Sequence, residues 1–382
     1  MAKLHLAIGL GLAALSGSVF GTQCSGPGGA IALYQSCQAS PGCDPTFYVK
    51  RHPECFGTGS NTAASEQRVI ATSFQQMLAI SYAVSARTAA LLAPPGTVAG
   101  FGPGKGLAAG DAAQKWNVWG NIGENNQKFD RGTFVAQGDA TNTARTNRFD
   151  SNIQNFVIGG DYQLAPTVAI GLSAAFDNGS GSAASYTLAA PDGAKSVDTS
   201  GDSYAPYIGW QINKDWALDA TMGWGTGKST VDNTIKTDSK RFFYGVNLGY
   251  TTWYRNWQLT GKGSYLYGEE KYSDSNNNGT ALTGTAVNNK LGQLRLAGQA
   301  GYWMNGFMPY FGLAYSEDSH SSSATSAVQY SGEMGKSAWV WSLGANVISL
   351  KNNLTGGIVY EQESGRSRAK LDRLMANINY RF

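Results

Sequence analysis

Strict alternation of apolar and polar residues recurs from about residue 114 to the last residue of the chain. Phe156, Ile158, Gly160, Tyr162 and Leu164 share one face of such a stretch; Asn155, Val157, Gly159, Asp161 and Gln163 share the other. Further on, Phe242, Tyr244, Val246, Leu248 and Tyr250 alternate with Arg241, Phe243, Gly245, Asn247 and Gly249. Successive side chains of a strand point to opposite faces, so this period of two predicts strands with one greasy face. Twelve are predicted, at 114–124, 151–164, 167–178, 201–213, 215–229, 239–254, 256–272, 289–304, 306–317, 336–350, 353–363 and 368–382. Short connections (Ala165-Pro166, Lys214, Arg255, Asn305, Lys351-Asn352) alternate with longer polar ones at 125–150, 179–200, 230–238, 273–288, 318–335 and 364–367. Tight turns at one end and long loops at the other are the plan of an up-and-down outer-membrane barrel. An even count leaves both ends of the β region on the tight-turn side.

The chemistry of the two faces separates a membrane barrel from a soluble sandwich. The apolar face carries rings near the segment ends, among them Trp116, Tyr162, Trp216, Trp224, Tyr250, Trp257, Tyr302, Trp339 and Tyr360, as two interfacial girdles require. The other face is small and polar, with scattered charges at Asp161, Asp219, Arg241, Lys262, Arg295, Glu361 and Arg373. Charged residues make up 14% of the chain, against about 25% in ordinary soluble proteins, while aromatics reach 12% and glycines number 49. Mean hydropathy is −0.26, which excludes a bundle of membrane-spanning helices. An open sheet edge is forbidden in hydrocarbon, so the expected fold is all-β: a closed antiparallel 12-stranded transmembrane β-barrel. Net charge is +3 and no basic run occurs, so no nucleic acid is expected as a partner.

The N-terminal part is differently built. Lys3, an apolar run from Leu6 to about Leu15, and small residues ending at Val19 and Gly21 have the order of a secretory signal peptide, residues 1–21. All four cysteines follow, at Cys24, Cys37, Cys43 and Cys55. In an exported chain they predict two disulfides of undetermined pairing within a short segment, 22–60. Glycine then vanishes from about Ala63 to Ala93, and Pro94-Pro95 end a predicted helix of about 42 Å. Its neutral, small-residue composition, with Glu66, Arg68 and Arg87 as its only charges, suits an enclosed polar space. The expected organisation is therefore signal peptide 1–21, cysteine segment 22–60, pore helix 61–95, linker 96–113 and barrel 114–382.

Residues 62–382 resemble the translocator β-domain of autotransporters, the type V secretion family. The resemblance rests on the polar helix at 63–93 directly before the barrel, on the twelve strands, and on the ending Leu374-x-Ala376-x-Ile378-x-Tyr380-x-Phe382. In the family such a helix threads the pore, and such an ending is read by the barrel-assembly machinery. Trp119-Gly120 resembles the family's kinked opening strand. The resemblance implies location in the outer membrane of a Gram-negative bacterium, outer-membrane lipid, the barrel-assembly machinery and periplasmic chaperones as partners, a monomeric state, no cofactor, and translocation or surface anchoring of the N-terminal segment. Family members carry a passenger of hundreds of residues, whereas about 40 stand here between signal peptide and helix. An orphan barrel acting as an adhesin or gated pore is the second reading.

Enzymatic and metal chemistry find little footing. Gly223-Trp-Gly225-Thr226-Gly227-Lys228-Ser229 lacks the spacing of a phosphate loop. His320, with Ser322 and Asp318, has the order of an outer-membrane hydrolase, but the run reads more simply as a solvated serine-rich loop. Glu269-Glu270 read as loop solvation at a strand end, and no metal-ligand spacing occurs. The expected contribution of the bore is electrostatic: Arg68 or Arg87 of the helix paired with Asp161, Asp219 or Glu361 of the wall.

Overall fold

The computed structural model describes residues 77–84, 115–135, 144–187, 195–282, 286–322, 336–349, 354–366 and 369–382. The signal segment, the four cysteines, Arg68, Arg87, the linker and the remainder of the predicted helix lie outside these residues.

Twelve long strands form the wall: β1 (Trp116–Val135), β2 (Ala144–Ala165), β3 (Val168–Thr187), β4 (Lys195–Gln211), β5 (Trp216–Val231), β6 (Ile235–Tyr254), β7 (Trp257–Tyr272), β10 (Val287–Tyr302), β11 (Phe307–Ser322), β12 (Ser337–Ser349), β13 (Leu354–Ser364) and β14 (Ala369–Arg381). Two three-residue strands, β8 (Ser275–Asn277) and β9 (Thr280–Leu282), form a small hairpin within one connection. Every long strand pairs antiparallel with its neighbours, and β1 pairs with β14 as well as β2, which closes the cylinder. The fold is the all-β closed 12-stranded antiparallel barrel that alternation predicts, with one short N-terminal helix, α1 (77–84).

The alternation sorts solvent from bore. Outward side chains are large and apolar, and Leu172 and Leu343 keep 58% and 60% of their surface exposed. Inward ones such as Asp161 and Arg241 keep 3% and 4%. In water this would be an inverted protein; in a bilayer the exposed apolar band meets hydrocarbon. Ring pairs mark its edges. Trp116 with Tyr162, Trp216 with Tyr250 and Trp257 with Tyr302 lie at the tight-turn end. Trp224 with Phe242 and Tyr315 with Trp339 lie toward the loops.

The wall departs from the expected strand limits on the loop side. Much of 125–150 and 179–200 is strand, because β1 runs on to Val135, β2 starts at Ala144, β3 ends at Thr187 and β4 begins at Lys195. Beyond the membrane both faces of a strand meet water, so backbone pairing continues after the apolar alternation has ended. The connection at 230–238 shrinks to a tight turn: Asp232 and Asn233 both take positive φ, and the Thr234 N–H donates to the Val231 carbonyl at 3.0 Å. Two consecutive left-handed residues suit the right-handed twist of a hairpin, and Asp and Asn tolerate that region. Asn278-Gly279 does the same between β8 and β9, inside the run expected to be plain loop. His320 and Ser322, expected in a loop, belong to β11. β1 keeps register through Trp119-Gly120, and its bulge comes later, between Asp130 and Gly132.

Candidate functional site in the bore

α1 lies within the barrel and divides the bore into two unlike halves. On one side Met77, Leu78, Ile80, Ala83 and Val84 pack against Trp119, Val157, Ala175, Ala205, Tyr207, Phe243 and Leu266, which come from β1 to β7. On the other, Tyr82 reaches a charged cluster on β7, β10, β13 and β14. The expectation of a uniformly polar lumen therefore needs correction. The inward face carries a strip of small and aromatic apolar residues that α1 covers. Val157 and Phe243 on the otherwise polar faces were the signal in the sequence.

Glycines opposite rings smooth the wall, three pairs in the apolar half and one, Tyr310 with Gly344, in the charged half. Trp119 lies directly across from Gly159, Tyr207 from Gly171, Phe243 from Gly223 and Tyr310 from Gly344. A Cβ at any of these glycines would come within 2.4 Å of the ring. The rings thus lie flat on the wall, where side chains standing upright would block the bore. Trp119 Nε1 donates to the Tyr207 hydroxyl at 2.6 Å, and that hydroxyl donates to Asp161 at 2.9 Å. Asn117 adds a bond to the same carboxylate oxygen at 3.1 Å. The glycines of the Gly223–Ser229 run have the same use: Gly223 lies under Phe243, and Gly227 lies under the Arg241 guanidinium.

The charged half holds Tyr82 among three cations. Arg295, Arg373 and Lys262 stand 5.0, 5.3 and 5.7 Å from its ring centre, within cation–π range. Arg295 Nη1 also donates to the Tyr82 hydroxyl. Glu361 bridges the two arginines, with Oε1 3.0 Å from Arg295 and Oε2 2.9 Å from Arg373. Asp219 accepts from Asn247 at 2.6 Å, and the same Asn247 amide lies 3.5 Å from Ser81 of the helix. Asp161, Asp219 and Glu361 therefore all line the bore, with partners from the wall; Arg68 and Arg87 fall outside the described residues. Toward the loop end Arg241 is buried between Asp177 at 2.7 Å and Glu270 at 3.0 Å. That overturns the reading of Glu270 as loop solvation: the strand pleat turns Glu270 inward. Its neighbour Glu269 bonds outward to Lys271 at 3.4 Å. Asp318, considered as an orienting group for His320, is held by Arg366 at 2.7 Å and Gln293 at 2.8 Å.

The direction of the helix follows from its contacts. Met77 sits against Gly268, near the loop end of β7, whereas Tyr82 meets Lys262, nearer its turn end. α1 thus runs from the loop side toward the turn side. At the turn side the chain closes on itself: Phe382 donates its N–H to the Trp116 carbonyl at 3.0 Å and accepts from the Trp116 N–H at 3.3 Å. Leu374, Ile378, Tyr380 and Phe382 point outward, with the rings of Tyr380 and Phe382 stacked 6.0 Å apart.

Comparison with known proteins gives the same architecture. The family profile described as "Autotransporter beta-domain" matches residues 132–361. The transport unit of the autotransporter AIDA-I from Escherichia coli is similar in fold, with a TM-score of 0.52, 14% identity, and 80% of this chain and 98% of that one covered. The β domain of the Bordetella autotransporter BrkA aligns with a TM-score of 0.49 and 15% identity over 70% of this chain and 100% of that one. The translocator domain of NalP from Neisseria meningitidis does so with 0.48 and 14% over 70% and 89%. No curated protein matches the sequence.

Proposed function

Since the chain belongs to the autotransporter β-domain family, an outer-membrane β-barrel of Gram-negative bacteria, we propose that it translocates or anchors its own N-terminal segment, residues 22–60, at the cell surface. The observation that carries this reading is the direction of α1. A helix entering the bore from the loop side sends the residues before it toward that side, and long loops are the extracellular end of such barrels. The barrel itself does no covalent chemistry in this reading. Leu374, Ala376, Ile378, Tyr380 and Phe382 present the outward apolar ending to the barrel-assembly machinery, and periplasmic chaperones carry the unfolded chain there. Once seated, the barrel is a monomer in outer-membrane lipid, and disulfides among Cys24, Cys37, Cys43 and Cys55 compact the small exported segment.

The test is an epitope inserted after Gly21, followed by protease treatment of intact cells. Loss of the epitope, with the barrel still resistant, is the expected outcome. Full protection of the epitope in cells whose barrel is folded would place the segment on the periplasmic side and remove the export reading.

A further inference from the structure

We propose that the tight-turn half of the bore is a binding site for a small organic carboxylate, held through Lys262. A cavity of about 310 Å³ opens below Tyr82 on the turn side, between the helix and the wall from β6 round to β14. Lys262 and Arg295 stand at its inner end, while Thr251, Trp253 and Gln258 mark the end next to the turn.

The charge balance at the inner end is incomplete. Glu361 has one oxygen on Arg295 and the other on Arg373, so one carboxylate is shared between two guanidinium groups and makes no hydrogen bond to Lys262. Asp219, the other carboxylate near Lys262, stands on β5 beyond β6 and accepts from Asn247. Lys262 is left with the Tyr82 ring at 5.7 Å, and among the described residues its ammonium makes no hydrogen bond or ion pair. An ammonium carries three donors, and one that is half-buried and without an acceptor is unfavourable. The cavity beside it is where the missing acceptor would sit.

The remaining wall selects the kind of anion. Met308, Ile348 and Met375 give it an apolar flank, which suits a carbon body better than a bare inorganic ion. Asn121, Thr251, Gln258, Ser342, Asn346 and Asn377 also line the cavity, so polar groups stand beside the apolar flank for a ligand carrying more than its carboxylate. The cavity lies on the turn side of Tyr82, so the site is independent of whether residues 22–60 reach the cell surface.

The experiment is calorimetric titration of the full chain in zwitterionic detergent with benzoate, and with benzyl alcohol and benzylammonium as neutral and cationic counterparts. Benzoate is expected to bind and the other two to bind at least about tenfold more weakly, the scale of one charge-assisted contact. Lys262→Met is expected to weaken benzoate by about tenfold or more, and Lys262→Arg, which keeps the charge, to stay within about threefold. Lys271→Met, on an exposed side chain outside the bore, leaves the affinity unchanged. Absence of benzoate binding, equal affinity for benzyl alcohol, or an unaltered affinity in Lys262→Met would overturn the proposal. Should Lys262→Met fail to give a heat-modifiable folded band, the preference of the native protein among the three probes decides the question alone.

Discussion

Gly159→Ala isolates the packing that keeps the bore clear for the helix. The new Cβ would stand 2.3 Å from Cζ2 and 2.4 Å from Cε2 of Trp119, where ordinary carbon contacts begin at about 3.5 Å. The indole must therefore move by about 1 Å, and it has little room. Its Nε1 is tied to the Tyr207 hydroxyl at 2.6 Å, and its ring belongs to the cluster that holds α1. Overpacking of this kind costs about 1–3 kcal/mol, and loss of the indole bond about 1 kcal/mol more, so about 2–4 kcal/mol is expected in all. The assay is urea unfolding and refolding in phospholipid vesicles, followed by tryptophan fluorescence, for the native chain, Gly159→Ala, Trp119→Ala and the double variant. In the Trp119→Ala background the methyl meets space, and its cost is expected to fall below about 0.5 kcal/mol. A cost that small in the native background, or one equally large in both backgrounds, would refute the account of Gly159 as the floor beneath Trp119.

Arg241→Met leaves Asp177 and Glu270 buried and facing each other, and should cost about 3–5 kcal/mol in the same unfolding assay, with partial recovery when Glu270→Gln is added. Asn233→Val forces a β-branched residue to φ 58° in the β5–β6 turn and should cost about 1–2 kcal/mol, whereas Asn233→Gly should be neutral within error. Deleting Phe382 removes the paired backbone bonds to Trp116 and the stack on Tyr380. The folded, heat-modifiable form in the outer membrane should fall several-fold in cells, with a smaller change in refolding from urea.

The sequence made the wall legible because lipid imposes a strict rule on it. Every outward position between the girdles must be apolar, so β5 reads Trp216, Leu218, Ala220, Met222, Trp224 without interruption. The rule stops at the membrane surface, and the strand extensions at 125–135 and 179–187 carried no signal beyond polar, glycine-rich composition. Turn chemistry at Asp232-Asn233 and Asn278-Gly279 was present but masked by long polar surroundings. The bore was half legible. The period of two gave which charges point inward, Arg241 and Glu361 among them, but not who meets whom, since Arg373 and Asn125 are 248 positions apart when they bond at 2.6 Å. Only closure of β14 on β1 brings those two together. The four ring–glycine joints were invisible for the same reason: each requires the register of two strands.

The division of the bore into an apolar and a charged half decides how firmly the helix stays. Met77, Leu78, Ile80 and Val84 are each at least 97% buried, and full burial of such side chains is worth about 1.5–3 kcal/mol apiece. Withdrawing α1 into water would forfeit at most about 6–12 kcal/mol from these four alone, before the Tyr82 contacts are counted. Even the lower figure corresponds to roughly four orders of magnitude in population, so a pore opened by spontaneous helix exit is rare in the resting protein. Ions that cross must then use the charged half, past Tyr82. Two substitutions separate the halves. Ile80→Asp places a carboxylate in the apolar seat and should raise the frequency of large openings in planar bilayers at least tenfold. Tyr82→Ala should raise the small resting conductance while leaving the frequency of large openings close to native. Large openings equally rare in Ile80→Asp and the native chain would show that the apolar strip does not hold the helix.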